Sequence, residues 1–255
     1  MAPKPVQSRS LRPDRNNLTS NPPTGPESAA APAGSRHYRR ARQDRGAETR
    51  SQLIEAALDV FGRLGFEGAT TRQIAKTAGA NLAAIVYHFG SKEALHLAVA
   101  EHVATSMRAA LEPAFAAIGD SSANVSAEAA RSSFTRLIEA YVDLLIGSAR
   151  AERWARFIVR EQMQPSAAFD VIYGFMSGPL GIATRLAATA LGRPEDDEIR
   201  IRVFAMFGQV LVFRVSQALV NRHMGWHAVG TREREEIKRI IVGHVETIFD
   251  AGTSP

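Results

Sequence analysis

The sequence predicts an all-α protein, in which a small N-terminal three-helix unit carrying a helix-turn-helix is joined by a long helix to a larger helical domain. Three observations predict this. From Ala47 onward apolar residues recur at three- and four-residue steps. No stretch alternates with period two between hairpin turns. The breaks between periodic segments fall at Pro165, Gly178-Pro179, Gly192-Arg193-Pro194 and Gly225, residues that end helices.

Residues 1–46 come first and read differently. They are rich in Pro, Ser and Arg, with little to bury, so they are expected to be a disordered basic tail. Nine Lys or Arg stand there against three acids, so the tail holds the basicity and the remainder is close to neutral. Such a tail attracts phosphate without reading sequence. Its Arg- and Ser-rich composition also allows an organellar transit peptide.

The first helix follows from Ala47 to about Gly65, with Leu53, Ile54, Ala57, Leu58, Phe61 and Leu64 forming one stripe. Thr70 caps a short second helix, Thr71–Ala78, because its hydroxyl can accept from a free backbone N–H. Leu82–Phe89 is the third. Ser91-Lys92-Glu93 opens a fourth that runs to about Ile118, with Pro113 placed to bend it. After a loop at Gly119–Asn124, helices are expected at Ala127–Ser148, Ala151–Gln162, Ser166–Phe175, Pro179–Leu191, Asp196–Arg222 and Arg232–Asp250.

Composition excludes several classes of function. Hydrophobic residues make up 45% of the 255, enough for packed cores. The absence of cysteine rules out a disulfide scaffold and thiolate metal sites, and fits a reducing cytoplasm. The longest uncharged apolar run, Val203–Phe213, is far short of the ~20 residues that span a bilayer, so no membrane is expected. His223 and His227 are four apart, but Gly225 and Trp226 break the helix that would align them. No nucleophile elbow, P-loop or dinucleotide fingerprint is present, so neither an enzyme nor a metal or cofactor is expected.

The informative stretch is Thr71–Phe89. A helix-turn-helix needs a small residue where its helices cross, and Ala75 supplies it. Its turn needs a left-handed backbone position, and Gly79 sits there four residues later. Ile74, Ala78, Ala80 and Ile85 are spaced to seal the unit onto the first helix, leaving the opposite face of Leu82–His88 free to enter a major groove.

With the trailing Phe89-Gly90-Ser91-Lys92-Glu93, the motif at about 70–89 resembles that of the TetR family of bacterial regulators. Residues 80–92 together with Phe157-Ile158-Val159-Arg160-Glu161-Gln162 resemble the CecR-type subgroup. The resemblance implies a DNA-binding domain at 47–106 and a helical ligand-binding and dimerisation domain at 107–255. Thr71 would bind phosphate near a helix N-terminus and Arg72 would reach a base edge or phosphate. Asn81, Leu82, Ala83 and Ala84 would face bases, while Tyr87, His88 and Lys92 would fasten the DNA backbone. Many family members have tyrosine where Val86 stands, and Leu82–Ala84 lack bidentate hydrogen bonding. Readout therefore rests on apolar contacts, Asn81, Arg72 and DNA shape. Taken singly, Thr71, Tyr87 or His88 reads equally as a cap or core residue, and Lys92 as a solvated charge.

In the larger domain Trp154, Phe157, Arg160, Glu161, Phe175, Met176, Phe204, Phe207, Gln209 and Arg214 are candidates to line a small-molecule pocket, with Arg160, Glu161 and Arg214 the more specific ones. The competing reading is ordinary core for the aromatics and a structural ion pair for the charges. The last two helices, with Ile237, Ile240, Ile241, His244, Val245 and Ile248 on one face of the second, resemble a homodimer interface, burial within one subunit being the alternative. The partners implied are a palindromic double-stranded DNA operator, a second copy of the chain and an unknown small-molecule effector. The activity implied is that of a cytoplasmic repressor, with a ligand-independent or activating regulator as the alternative, and an all-helical enzyme with a site among Arg160, Glu161 and Arg214 behind it.

Overall fold

The computed structural model describes residues 33–118, 125–146 and 148–252. Residues 44–255 belong to one compact unit. Every regular element among the described residues is helical: α1 (Ala33–Gly68), α2 (Thr71–Thr77), α3 (Leu82–Phe89), α4 (Lys92–Ile118), α5 (Ala127–Leu145), α6 (Ala149–Met163), α7 (Ala167–Leu191), α8 (Asp197–Val215), α9 (Gln217–Met224) and α10 (Thr231–Gly252). The all-α expectation holds. Of the expected disordered tail, 1–32 lie outside the described residues. From Ala33 the backbone is helical and continues into α1 without a break at Ala47. Its Ala, Arg, Gln and Glu are good helix formers, which an argument from burial alone passes over. The expected loop at Gly119–Asn124 also lies outside the described residues.

Local chemistry explains most boundaries. Ser126, Ser148, Ser166 and Asp196 each accept a backbone N–H with the side chain and start α5, α6, α7 and α8. Gly192 ends α7 in the left-handed region, its N–H donating to the Thr189 carbonyl while Arg193 N–H donates to that of Ala188.

Two expected boundaries are corrected. Helix α7 runs straight through Gly178-Pro179 and replaces the two helices expected there. Proline removes one N–H, but Ile172 and Phe175 before it and Ala183, Leu186 and Ala187 beyond it are buried and hold both halves in place. Conversely, the single helix expected over Asp196–Arg222 breaks at Ser216 (φ −99°, ψ 22°), and α8 and α9 lie 75° apart. No glycine or proline marks that break.

Two apolar clusters form the interior. The first joins Leu53, Leu58 and Phe61 of α1, Ile74 of α2, Ile85 of α3 and Leu95 and Val99 of α4 to Trp154 and Phe157 of α6. The helix-turn-helix therefore shares its core with α6, across the boundary expected at residue 106. The second cluster packs α5, α7, α8 and α10 around Phe134, Ile138, Met206 and Phe249. Helix α1 meets α6 at Gly62, where a Cβ would come into contact with Arg156 Cβ at 3.4 Å. Gly65 kinks α1 near its end at φ 75°, ψ 173°, a conformation that only glycine adopts readily.

His96 of α4 lies at the centre of the shared core, 4% exposed, with the Phe61, Phe66 and Phe157 rings at 4.6, 4.9 and 5.3 Å. Its Nε2 is 3.1 Å from Glu161 Oε1 but out of line for a hydrogen bond, and Glu161 Oε2 accepts from Ser166. Burial lowers the His96 pKa below the ordinary 6.5, opposed by Glu161 and reinforced by Lys92. The folded state thus favours the neutral ring. Its stabilising contribution is complete above the unfolded value of about 6.5 and is lost as pH falls below that. Thermal denaturation between pH 7 and 5 should show a falling Tm, with a shallower fall in His96→Gln; an unchanged slope would remove His96 as the source.

Candidate nucleic-acid interface

The helix-turn-helix is held by backbone geometry confined to about twenty residues. A capping box opens α2: Thr70 Oγ1 accepts from Gln73 N–H at 3.2 Å, and Gln73 Oε1 accepts from Thr70 N–H at 2.9 Å. A Schellman turn closes it, with Gly79 at φ +64°, Ala80 N–H donating to the Ala75 carbonyl and Gly79 N–H to that of Lys76. Ala75 is buried at the crossing and Ile74 and Ile85 are inaccessible, as the motif requires. Asn81 caps α3 by accepting from Ala83 N–H at 3.0 Å. Gly90, at φ 82°, ends it.

What remains outside is the opposite face. Arg72, Asn81, Leu82 and Ala83 are exposed, and Tyr87 and Val86 are 81% and 65% exposed. Thr71, Ala84 and His88 are half-buried, with the His88 ring 4.9 Å from that of Tyr87. Eight of the nine residues singled out from sequence thus border one surface or its edge, although Ala84 also packs on the core and the Asn81 carbonyl oxygen is committed to its cap. Lys76 adds an exposed cation on α2 that sequence reasoning passed over, a lone lysine inside the motif being its one signal.

Lys92 is placed otherwise. Its ammonium donates to the carbonyls of Phe66 (3.0 Å) and Ala69 (3.3 Å) and stands 4.1 Å from the centre of the Phe66 ring. It neutralises the carbonyl end of α1 from the start of α4, so its charge is engaged within the chain.

The ten expected pocket residues divide. A cavity of about 200 Å³ lies between α4, α5, α6, α7 and α8, and Phe175, Met176, Phe204 and Phe207 border it. Met107, Leu137 and Tyr141 form more of its wall. Burial pushes the Tyr141 phenol up to about 12. Arg160 and Arg214 border a separate cleft. Trp154 and Phe157 are core, and Glu161 faces His96. The misplaced aromatic candidates are those of α6, because residue type does not say which side of a helix meets another helix and which meets a cavity.

The face expected for dimerisation divides in the same way. Ile237, Ile241 and Val245 of α10 pack inside the subunit, while Ile240 and His244 point out. On α8, Val203, Met206 and Val210 are buried. Ile201, Phe204, Val212 and Val215 form an exposed apolar stripe that includes Gly208, and His244 Nδ1 meets Gln209 Oε1 at 2.9 Å between the two helices.

Comparison with known proteins agrees with this geometry. A family model described as bacterial regulatory proteins, tetR family, matches residues 53–99, and one for the C-terminal domain of the HTH-type transcriptional dual regulator CecR matches residues 130–252. The dual regulator CecR of Shigella flexneri is 33% identical over 209 residues, covering 80% of this chain and 93% of that protein. The transcriptional repressor NicS of Pseudomonas putida is 42% identical over 62 residues, 24% of this chain and 29% of its own. Among solved structures, a TetR-like regulator from Rhodococcus sp. RHA1 shares the fold, with a TM-score of 0.55 and 18% identity over 79% of this chain and 96% of that one. The chain belongs to the TetR family of DNA-binding transcriptional regulators, in its CecR-type branch.

Proposed function

We propose that the protein is a homodimeric repressor acting in the cytoplasm, which binds a palindromic operator and leaves it when a small molecule occupies the larger domain. Residues 47–106 read DNA in this scheme, and residues 107–255 hold the effector and the dimer contact. The single observation that carries the DNA reading is the outward face of α3. Leu82, Val86 and Tyr87 stand in solvent beside Arg72, although each has apolar surface that folding normally hides. Two such helices related by a two-fold axis enter successive major grooves, with Arg72 at a base edge and Leu82, Ala83 and Val86 against thymine methyl groups.

The exposed stripe on α8, with Ile240 and His244 of α10, supports pairing of two subunits into a four-helix bundle. The cavity supports effector binding, since its wall is apolar apart from a few groups such as Tyr141 and Gln162. An effector lowers operator occupancy only by binding the DNA-incompetent form more tightly. The relative at 33% identity is named a dual regulator. That name favours a second reading in which the same dimer activates some promoters.

Titration of the protein against its own upstream DNA at two salt concentrations tests the reading; weak, sequence-indifferent binding would sink it. In that assay Arg72→Ala is expected to weaken operator binding by about 1–3 kcal/mol and to relax discrimination at one base pair. Lys92→Met is expected to lower stability by about 1–2 kcal/mol in thermal melts, through lost carbonyl and ring contacts, with an unchanged salt slope of DNA binding. A slope lower by about one would return Lys92 to the phosphate contacts. Phe204→Glu should convert the dimer to monomer in sedimentation and abolish tight operator binding while leaving the helical circular dichroism intact; a dimer that persists would place the interface elsewhere.

A further inference from the structure

Helix α6 borders two voids of opposite character. On one side is the apolar cavity, whose lining contains no charged side chain. On the adjoining face is a cleft of about 790 Å³ between α1, α6, α8 and α9, which carries Glu152, Arg156, Arg160 and Arg214. Ala155 and Val159, one helical turn apart, line both.

The cleft has more cations than anions. Glu152 lies 3.2 Å from Arg156 and 3.1 Å from Arg214, so one carboxylate serves two guanidinium groups. Arg160 has no carboxylate partner among the described residues. Its Nη2 donates to the Arg63 carbonyl at 2.8 Å and its Nε to that of Gly62 at 3.4 Å. Three guanidinium groups and one carboxylate leave two positive charges in excess, beside a cavity that offers none. Arg214 is 7% exposed, which raises the field that an incoming anion feels. Asn221 Oδ1, on the same wall, is buried without a hydrogen-bond partner among the described residues. It can take a hydroxyl donor, or present its amide N–H instead.

We infer that the cleft receives the anionic head, phosphate or carboxylate, of an amphiphilic effector whose apolar part lies in the cavity beyond Ala155 and Val159. This rests on the cavity being the effector site, as proposed above. It also supplies a route to the DNA. An oxyanion forms stronger hydrogen bonds with a guanidinium than a neutral carbonyl does. The head therefore draws Arg160 away from Gly62 and Arg63 and loosens the carbonyl end of α1, the helix on which the helix-turn-helix packs.

The test uses the full chain and probes with one eight-carbon tail, below their micellar concentrations: octyl phosphate, octanoate and octan-1-ol, with inorganic phosphate as the tail-free control. Calorimetry should give octyl phosphate at least tenfold tighter binding than octan-1-ol, with octanoate reporting whether a carboxylate suffices. Arg156→Gln and Arg160→Gln should each reduce octyl phosphate affinity three- to tenfold and leave octan-1-ol unchanged. Leu180→Trp, which fills the cavity from a half-buried position, should weaken both octyl probes. Equal binding of octyl phosphate, octanoate and octan-1-ol would overturn the cleft while leaving the cavity as the effector site. So would a phosphate advantage that survives both arginine changes. Octyl phosphate binding indifferent to Leu180→Trp would overturn the spanning of the two voids. Operator affinity of the unliganded protein, measured in parallel, reports the DNA reading separately.

Discussion

The carbonyl end of α1 is the constraint on which the rest of the molecule depends. A helix leaves its last four carbonyls without partners and carries partial negative charge there. Here carbonyls on either side of the Gly65 kink, near the end of α1 and just beyond it, lie between two other helices, and each sends a cation. Lys92, from the first turn of α4, takes the carbonyls of Phe66 and Ala69; Arg160, from the last turn of α6, takes those of Gly62 and Arg63. Gly65 kinks α1 between the two pairs of carbonyls. The DNA-reading unit is thereby fastened at one point to the connecting helix and to the larger domain.

That arrangement explains why the helix-turn-helix is no independent module. Its core includes Trp154 and Phe157, and His96 lies between their helix and α1. Any change that shifts α6 is felt at Phe61 and Phe66, because close-packed aromatic side chains transmit displacement rather than absorb it. Helix α6 also borders both voids of the larger domain. One helix is thus common to both voids of the larger domain and to the core of the helix-turn-helix, so a link between them needs no separate pathway.

The outer helices show a second division of labour. Helix α8 is apolar on two sides, one packed in the cluster around Phe134 and Ile138 and the other in solvent, where Ile240 of α10 adds to it. Helix α9 turns away by 75° at Ser216 and carries Leu219 and Met224 on its surface. A single subunit does not bury all of this apolar surface, which is the physical content of the expectation that the family member works in pairs.

Sequence alone determined the features whose causes are local. The α2 and α3 boundaries follow from Thr70, Gly79, Asn81 and Gly90, each acting within one turn of itself. The exposed side of α3 followed too, because burial of Ile74 and Ile85 leaves one side of a short helix outside. Tertiary structure decided what depends on distant neighbours. Lys92 reads as a phosphate contact until α1 ends beside it. Pro179 reads as a stop until buried flanking turns hold α7 together. Ser216 carries no breaking signal at all. The expected pocket residues Trp154, Phe157 and Glu161 face the DNA-reading unit's core instead of a ligand, since periodicity gives the angle of a side chain around its own helix and not the identity of the helix it meets.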